Sequence, residues 1–287
     1  MSTFHLLLLL GAALAHVAAH TAIKRARDRW AFLWWMMLAS NIFFLPLLFQ
    51  AGRIPLTGWG ILALSVAVEL LYYTAVVRAY HSGDLSMAYP LSRGSSPLFL
   101  SLWGILLLGE KVTLHGLAGI ALIAAGLYTV NLLRLGDWAA PFRALKESAP
   151  RWALFGGLCI SVYTAIDKVG VQYVPALLYV YLTFALAWIV ITVDIWRSDG
   201  WGTLKAEWTT AKWAFVLAGL VTVGAYAVVL WVIKNGTPAT YAGAVREVSV
   251  VLAALTGSVG LREGRAAPRV IGAALVVSGV ALIALWG

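Results

Sequence analysis

Ten windows of about 20 predominantly apolar residues, each long enough to cross a bilayer core as a helix, follow one another along this chain. They run over 4–22, 31–51, 57–79, 85–108, 114–133, 152–172, 175–195, 212–233, 238–260 and 267–286. Lipid offers no water to backbone N–H and C=O groups, so windows of this kind fold as helices that satisfy their own backbone. The expected class is all-α integral membrane, with ten transmembrane helices. Charge supports this: Asp, Glu, Lys and Arg make up 11% of 287 residues, against roughly 25% in soluble domains. The run Leu6–Leu10 resembles the apolar part of a signal peptide. No Lys or Arg precedes it and nine windows follow, so it is read as the first span.

The net charge of +9 is a topology signal, because Lys and Arg collect on the cytoplasmic side of spans. Of the 21 Lys and Arg residues, 15 follow odd-numbered windows, including Lys24, Arg25, Arg27, Arg29 and Arg78. Arg53, Lys111, Lys168 and Lys234 follow even-numbered ones. The odd loops are therefore expected in the cytoplasm and both termini outside. The expected location is the inner or plasma membrane. The basic balance does not call for nucleic acid.

The chain also repeats itself. An ungapped shift of 153 residues brings Gly83 onto Gly236, Arg93 onto Arg246, Ser96 onto Ser249, Gly104 onto Gly257, Glu110 onto Glu263, Gly119 onto Gly272 and Gly126 onto Gly279. Apolar identities are cheap in such a composition, but two intramembrane arginines and two glutamates in one register are not. The pattern predicts two five-helix units, 1–135 and 151–287, joined by a linker over 136–150. Five is odd, so the second unit enters from the opposite side and the repeats are inverted. Secondary transporters commonly use this arrangement, with the substrate at the interface of the repeats.

Ser-Gly-Asp-Leu-Ser-Met-Ala-Tyr-Pro-Leu at 82–91, Leu-Leu-Gly-Glu-Lys at 107–111, Gly-Thr-Pro-Ala at 236–239 and Gly-Leu-Arg-Glu at 260–263 resemble the EamA type of the drug/metabolite transporter superfamily over essentially the whole chain. The resemblance implies a basket of helices around a central cavity, with the fifth and tenth helices peripheral. It also implies cytoplasmic termini, opposite to the charge distribution.

Ionisable residues inside spans cost about 2.5–3.5 kcal/mol each at a helix centre, so those retained need a reason. Glu69 lies midway along the third window, Arg93 and Arg246 at equivalent points of the fourth and ninth, and Glu247 beside the latter. Either the arginines hold an anionic group while Glu69 carries a proton, or Arg93 pairs with Glu247 and Arg246 with Glu69. Pro90 and Pro97 bracket Arg93, which predicts a kinked fourth helix lining the cavity. Tyr89, Arg93 and Ser96 share one face, a donor stripe suited to a carboxylate or phosphonate. Arg93 is therefore expected to meet the ligand and Arg246 to sit in the salt bridge. Ser249 repeats Ser96, and either serine is as readily bonded to its own helix. Tyr163, Tyr226, Asn41, Tyr72 and Tyr73 are candidate lining residues. His16 and His20, one turn apart, suit a proton relay or simple packing. Asp167 and Lys168 are expected near enough to a helix end to reach water.

There is no Walker loop, so transport must run on a gradient, and no catalytic constellation, so no enzyme is expected. Cys159 is the lone cysteine, which excludes disulfides, Cys-based zinc and iron–sulfur clusters; no metal or cofactor is expected. The sequence points to a secondary transporter, an exporter of a small polar anionic or zwitterionic metabolite driven by protons. The alternatives are a cationic amine or drug exporter with Glu69 as the cation site and aromatic residues as a cage, and a flippase for lipids or lipid-linked intermediates. The expected partners are a small-molecule substrate and the lipid bilayer. A monomer is the simplest unit, with oligomeric state left open.

Overall fold

A computed structural model describes residues 1–50, 52–82, 85–130, 132, 136, 138, 139, 143–197, 200–249, 251 and 266–287; within these, the side chains of 20, 21, 24, 25, 29, 50, 76, 77, 80–82, 85–91, 144, 210–212 and 266 lie outside the description. Among the described residues all regular structure is helical. The helices used below are α1 (Thr3–Arg25), α2 (Arg29–Phe44), α3 (Leu56–Ser82), α4 (Leu85–Leu106), α5 (Leu114–Val130), α6 (Ser148–Gly170), α7 (Ala176–Arg197), α8 (Trp201–Lys234), α9 (Ala239–Arg246) and α10 (Ala266–Trp286). Six described helical stretches are long and apolar enough to cross a membrane, and Thr3–Ala19 and Leu114–Val130 are shorter apolar helices. The large apolar side chains left at the surface, such as Phe49, Leu56, Leu114 and Trp213, face what in a bilayer is lipid.

Three elements depart from the sequence expectation. The second window does not stay α-helical to its end: Pro46 lacks the N–H that the next i→i−4 bond needs, and Leu45–Gln50 tightens into a 3-10 turn. The connection between the seventh and eighth windows, 196–211, is not all loop. From Trp201 onward it belongs to α8, a single 34-residue helix. It stays ordered because aromatic residues of α2 grip it: Trp208 lies 4.3 Å from Trp35, ring centre to ring centre, and the Trp35 indole N–H donates to the Leu204 carbonyl at 2.9 Å. The third departure bears on the site. α4 is helical through both prolines, whereas the ninth window is interrupted after two turns by one turn residue, Glu247, and is helical again at Val248 and Ser249.

Polar contacts sort into two ends. At one, the Met1 amino group donates to the Gly287 carbonyl at 3.3 Å, His5 Nδ1 lies 2.8 Å from Thr237 Oγ1, and Thr113 Oγ1 donates to the Trp286 carbonyl at 2.8 Å. Both termini thus share an end with the α4–α5 and α8–α9 connections. At the other, the Asp28 N–H donates to Glu207 at 3.0 Å and the Arg78 guanidinium lies 4.6 Å over Trp152. A cavity of about 350 Å³ opens there, lined by Arg27, Asp28, Gly202, Thr203, Ala206 and Glu207.

The most extensive helix pair is α5 with α10, where backbones meet directly. A Cβ on Gly126 would fall 2.6 Å from the Gly272 carbonyl oxygen, and one on Gly119 would fall 2.7 Å from that of Gly279. Small residues let bilayer helices approach this closely. α6 packs on both α3 and α4, and α8 on α1, α2 and α7. A Cβ on Gly157 of α6 would fall 2.5 Å from the Ser92 carbonyl oxygen of α4, so that glycine sets how closely α4 and α6 cross.

Candidate functional site

Five buried ionisable side chains, Glu69, Arg93, Asp167, Arg246 and Glu247, converge between α3, α4, α6, α8 and the end of α9. Arg93, on α4, is 8% exposed, Arg246 4% and Glu247 0%. Arg93 Nη1 lies 3.2 Å from both Glu247 carboxylate oxygens, and Arg246 Nη2 lies 3.5 Å from Oε1. Two guanidiniums therefore share one carboxylate. The break at Glu247 makes this possible: adjacent residues on an intact helix project about 100° apart, and the turn lets Glu247 meet both arginines. The anticipated Arg93–Glu247 pair is present. The anticipated Arg246–Glu69 pair is not, because Arg246 is drawn to the neighbouring acid instead. Arg246 sits in the salt bridge as the sequence suggested, and Arg93 shares it. Both engage Glu247, Arg93 more closely, and it is Arg246 whose Nε is buried with no hydrogen-bond partner.

Arg246 also lies over an aromatic ring, its guanidinium carbon 5.7 Å from the centre of Tyr226. Tyr226 leads to the second half of the site. Its hydroxyl donates to Asp167 Oδ2, while Ser65 and Tyr179 both donate to Oδ1, Tyr179 at 2.9 Å. Asp167 is 0% exposed. This corrects the expectation that it reaches water: three hydroxyls, from α3, α7 and α8, replace that water. A carboxylate accepts three donors readily. The packing is built around them. A Cβ on Gly170 would fall 2.2 Å from Tyr179 Cε2, so only glycine leaves the ring in place.

Glu69 sits one helical turn after Ser65 on the same face of α3. It is 5% exposed, and its Oε2 is buried without a hydrogen-bond partner. Tyrosines line the ground around both acids: Tyr72 and Tyr163 rings are 6.1 Å apart, and Tyr163 and Tyr226 rings 6.4 Å apart and nearly perpendicular. One contiguous polar track thus runs from Asp167 through Tyr226 and Arg246 to Glu247 and Arg93.

Other candidates fall outside the track or outside the description. His16 Nδ1 lies 2.8 Å from the Ala12 carbonyl of its own helix. Ser96 and Ser249 are buried, at 2% and 6% exposure. Asn41 carries a buried, unpartnered amide oxygen. The side chains of Tyr89 and His20 lie outside the described residues, as do Gly83 and Glu263 altogether. Lys168 turns away from its neighbour Asp167 and bonds Glu110 at 2.6 Å. No group of three or more His, Cys, Asp or Glu able to hold a metal occurs among the described residues.

Sequence reasoning missed Asp167 as part of the site and gave Glu110 no role. An available signal for the first was its spacing: Tyr163 and Asp167 stand at i, i+4 on a helix whose Gly156, Ile160, Thr164 and Gly170 are all buried, so the face was an inward one.

Comparison with known proteins gives this arrangement its family. The model of the EamA-like transporter family matches residues 3–132 and 149–285. An uncharacterized transporter encoded in the cobO 3' region of Sinorhizobium sp. is 38% identical over 77 residues, covering 27% of this chain and 54% of that protein; the match spans about half of that relative's length. A solved crystal structure of a protein superimposes with a TM-score of 0.69 at 19% identity, covering 99% of this chain and 98% of the other, a likeness of fold. The chain belongs to the EamA-like transporter family. With six described helices long and apolar enough to cross a membrane, it is a multi-pass membrane protein of that family.

Proposed function

We propose that this family member is a secondary transporter that exports a small polar anionic or zwitterionic metabolite across the inner or plasma membrane, coupled to protons. The observation that carries the reading is a pair of unmet needs of opposite sign: Glu69 Oε2 and Arg246 Nε are both buried and unpartnered. A buried polar atom without a partner costs about 1–3 kcal/mol, more when charged, and a ligand bearing an acceptor and a donor supplies both. Arg246 offers the anion site, with Arg93 and Glu247 fixing it and Ser96 close by in the α4 sequence. Tyr163 and Tyr226 wall the space between, and Glu69 takes the proton or the ammonium. His16 and His20 are the secondary candidates for proton transfer.

The architecture proposed is ten spans in two inverted five-helix repeats, 1–135 and 151–287, around a central cavity, with 136–150 as linker. The 153-residue register supports it. That shift turns the Gly119–Gly279 contact into Gly272–Gly126, the other close contact of the same helix pair. The polar contacts at the two ends fit alternate crossings and bring both termini to one end, which the positive-inside rule assigns to the outer side. Reporter fusions at Gly287 check that orientation; a cytoplasmic C-terminus would reverse it.

One observation favours a second substrate class. Asp167 and Glu69 make no ion pair within 4.0 Å among the described residues, and tyrosines surround them, which suits an organic cation. Thermal-shift measurements with anions, zwitterions and organic cations separate the two. Stabilisation by anions or zwitterions, lost in Arg246→Lys, supports the first reading; stabilisation by cations alone supports the second. For coupling, reconstituted vesicles loaded with whichever compound stabilises the protein should show pH-gradient-driven flux in wild type and none in Glu69→Gln. Unchanged proton dependence in that variant leaves Glu69 with a structural role only.

A further inference from the structure

We propose that Glu110 is the gate at the end of the molecule that carries both termini, and that α9 is the lever joining this gate to Arg246. The proposal rests on the binding role of Arg246 given above only for its functional meaning; the gate itself is a matter of geometry.

α9 is eight residues long, Ala239–Arg246, and its own preceding residue, Pro238, provides no side-chain cap. The first N–H groups of a helix need partners from elsewhere. Here they find a carboxylate from another part of the chain: Glu110 Oε1 accepts from the Ala239 N–H at 2.6 Å and Oε2 from the Thr240 N–H at 3.1 Å. The positive end of a helix favours a negative charge at that point. The same Oε1 accepts from Lys168 Nζ at 2.6 Å, and the Glu110 side chain is 2% exposed. One carboxylate thus ties together the α4–α5 connection, the start of α9 and the last turn of α6.

The surroundings are shaped to hold it. Gly109 has φ +62°, a left-handed conformation that a side chain would resist, and it turns the chain so that Glu110 points inward. The Glu110 N–H donates to the Gly104 carbonyl at 2.9 Å, and a Cβ on Gly104 would fall 2.7 Å from Glu110 Oε2. One turn along α9, Tyr241 OH accepts from the Thr113 N–H at 3.0 Å, and a Cβ on Gly116 would fall 2.0 Å from that oxygen.

At about 1.5 Å per residue, eight residues put the two ends of α9 about 12 Å apart. That is short enough to move as one piece. The lower end carries Arg246 and then Glu247, which holds Arg93. Release of the upper end from Glu110 therefore frees Arg246 to shift against Tyr226 and opens this end of the protein to the buried charges. Lys168 and Asp167 are adjacent, so the last turn of α6 braces the gate with one residue and the Asp167 cage with the other.

Site-directed labelling tests this without any ligand. In a Cys159→Ser background, two single-cysteine reporters are made: Ala242→Cys on α9, at a position 0% exposed, and Ala79→Cys near Trp152 at the opposite end, at a position 2% exposed. With Glu110→Gln, which loses the charge-assisted bonds, labelling of the Ala242→Cys reporter by a membrane-impermeant maleimide should accelerate about tenfold, and only from the side bearing the termini. The Ala79→Cys reporter should not change. Equal acceleration at both reporters, or none at Ala242→Cys, overturns the proposal. If Glu110→Gln does not fold, Lys168→Gln removes one of the three donors and decides the matter by the same two readings, with a smaller acceleration. Ligand-induced stabilisation that survives in Arg246→Lys while Glu110→Gln accelerates labelling overturns the binding role and leaves the gate; loss of that stabilisation in Arg246→Lys with no acceleration in Glu110→Gln overturns the gate alone.

Discussion

Helices α5 and α10 occupy equivalent places in the internal repeat, as do α4 and α9, yet the two pairs are built on opposite chemistry. α5 and α10 meet glycine to carbonyl, with no charge and no room for a methyl group. α4 and α9 meet through two arginines and one glutamate, at the single turn residue that interrupts the ninth window. A close apolar seam has one arrangement and resists sliding. An ionic junction beside a helix break can exchange partners, because a guanidinium that leaves one carboxylate can take another or a ligand. The 153-residue register thus holds a close apolar seam in one pair and, as proposed, a junction able to exchange partners in the other.

The sharpest way to break this contrast is Glu247→Gln. Removing one partner of a buried ion pair typically costs about 3–5 kcal/mol, and here it strands two guanidiniums. Unfolding in detergent should show the largest loss of any single substitution in the site, and added anions should recover part of it. At the strut, Gly126→Val places new carbons against the Gly272 backbone, an overpacking cost of about 1–3 kcal/mol. It should lower the melting temperature by the same step with and without ligand, since nothing at this seam is meant to move. A change in ligand affinity in Gly126→Val would contradict the division into strut and junction.

Much of this was legible in the sequence. The all-helical membrane fold follows from window length and charge scarcity, and the Arg93–Glu247 pair from the cost of charges in lipid. What stayed hidden depends on residues distant in sequence. Whether Asp167 meets water is decided by Ser65, 102 residues before it, and Tyr226, 59 after it. Glu110 was visible as a duplicated acid, but a cap given to a helix that starts 129 residues later leaves no local signature. The interruption at Glu247 has no proline beside it to announce it. A proline removes one donor, and a packed helix tolerates that; in the ninth window the demand of two arginines for one carboxylate coincides with the break.

Tyr226→Phe sharpens the comparison with the smallest effect. It removes one of three donors to Asp167, and interhelical hydrogen bonds in membranes average about 0.6 kcal/mol, up to about 1.7. The ring under Arg246 remains, so melting should fall slightly while ligand-induced stabilisation persists. A collapse of that stabilisation would mean that the hydroxyl, rather than the ring, serves the ligand.

The central claim is that Arg246, not Arg93, offers the free donor to an anionic or zwitterionic substrate. Lysine keeps the charge but loses the planar array of donors, so the decisive measurement is the ligand-induced melting shift in Arg246→Lys beside that in Arg93→Lys, using the compound that most stabilises wild type. A ligand at a hundred times its dissociation constant adds about 2.7 kcal/mol, ample for comparison. The account predicts that Arg246→Lys loses most of the shift, while Arg93→Lys lowers the starting melting temperature and keeps it. An undiminished shift in Arg246→Lys, or an equal loss in both variants, would contradict it.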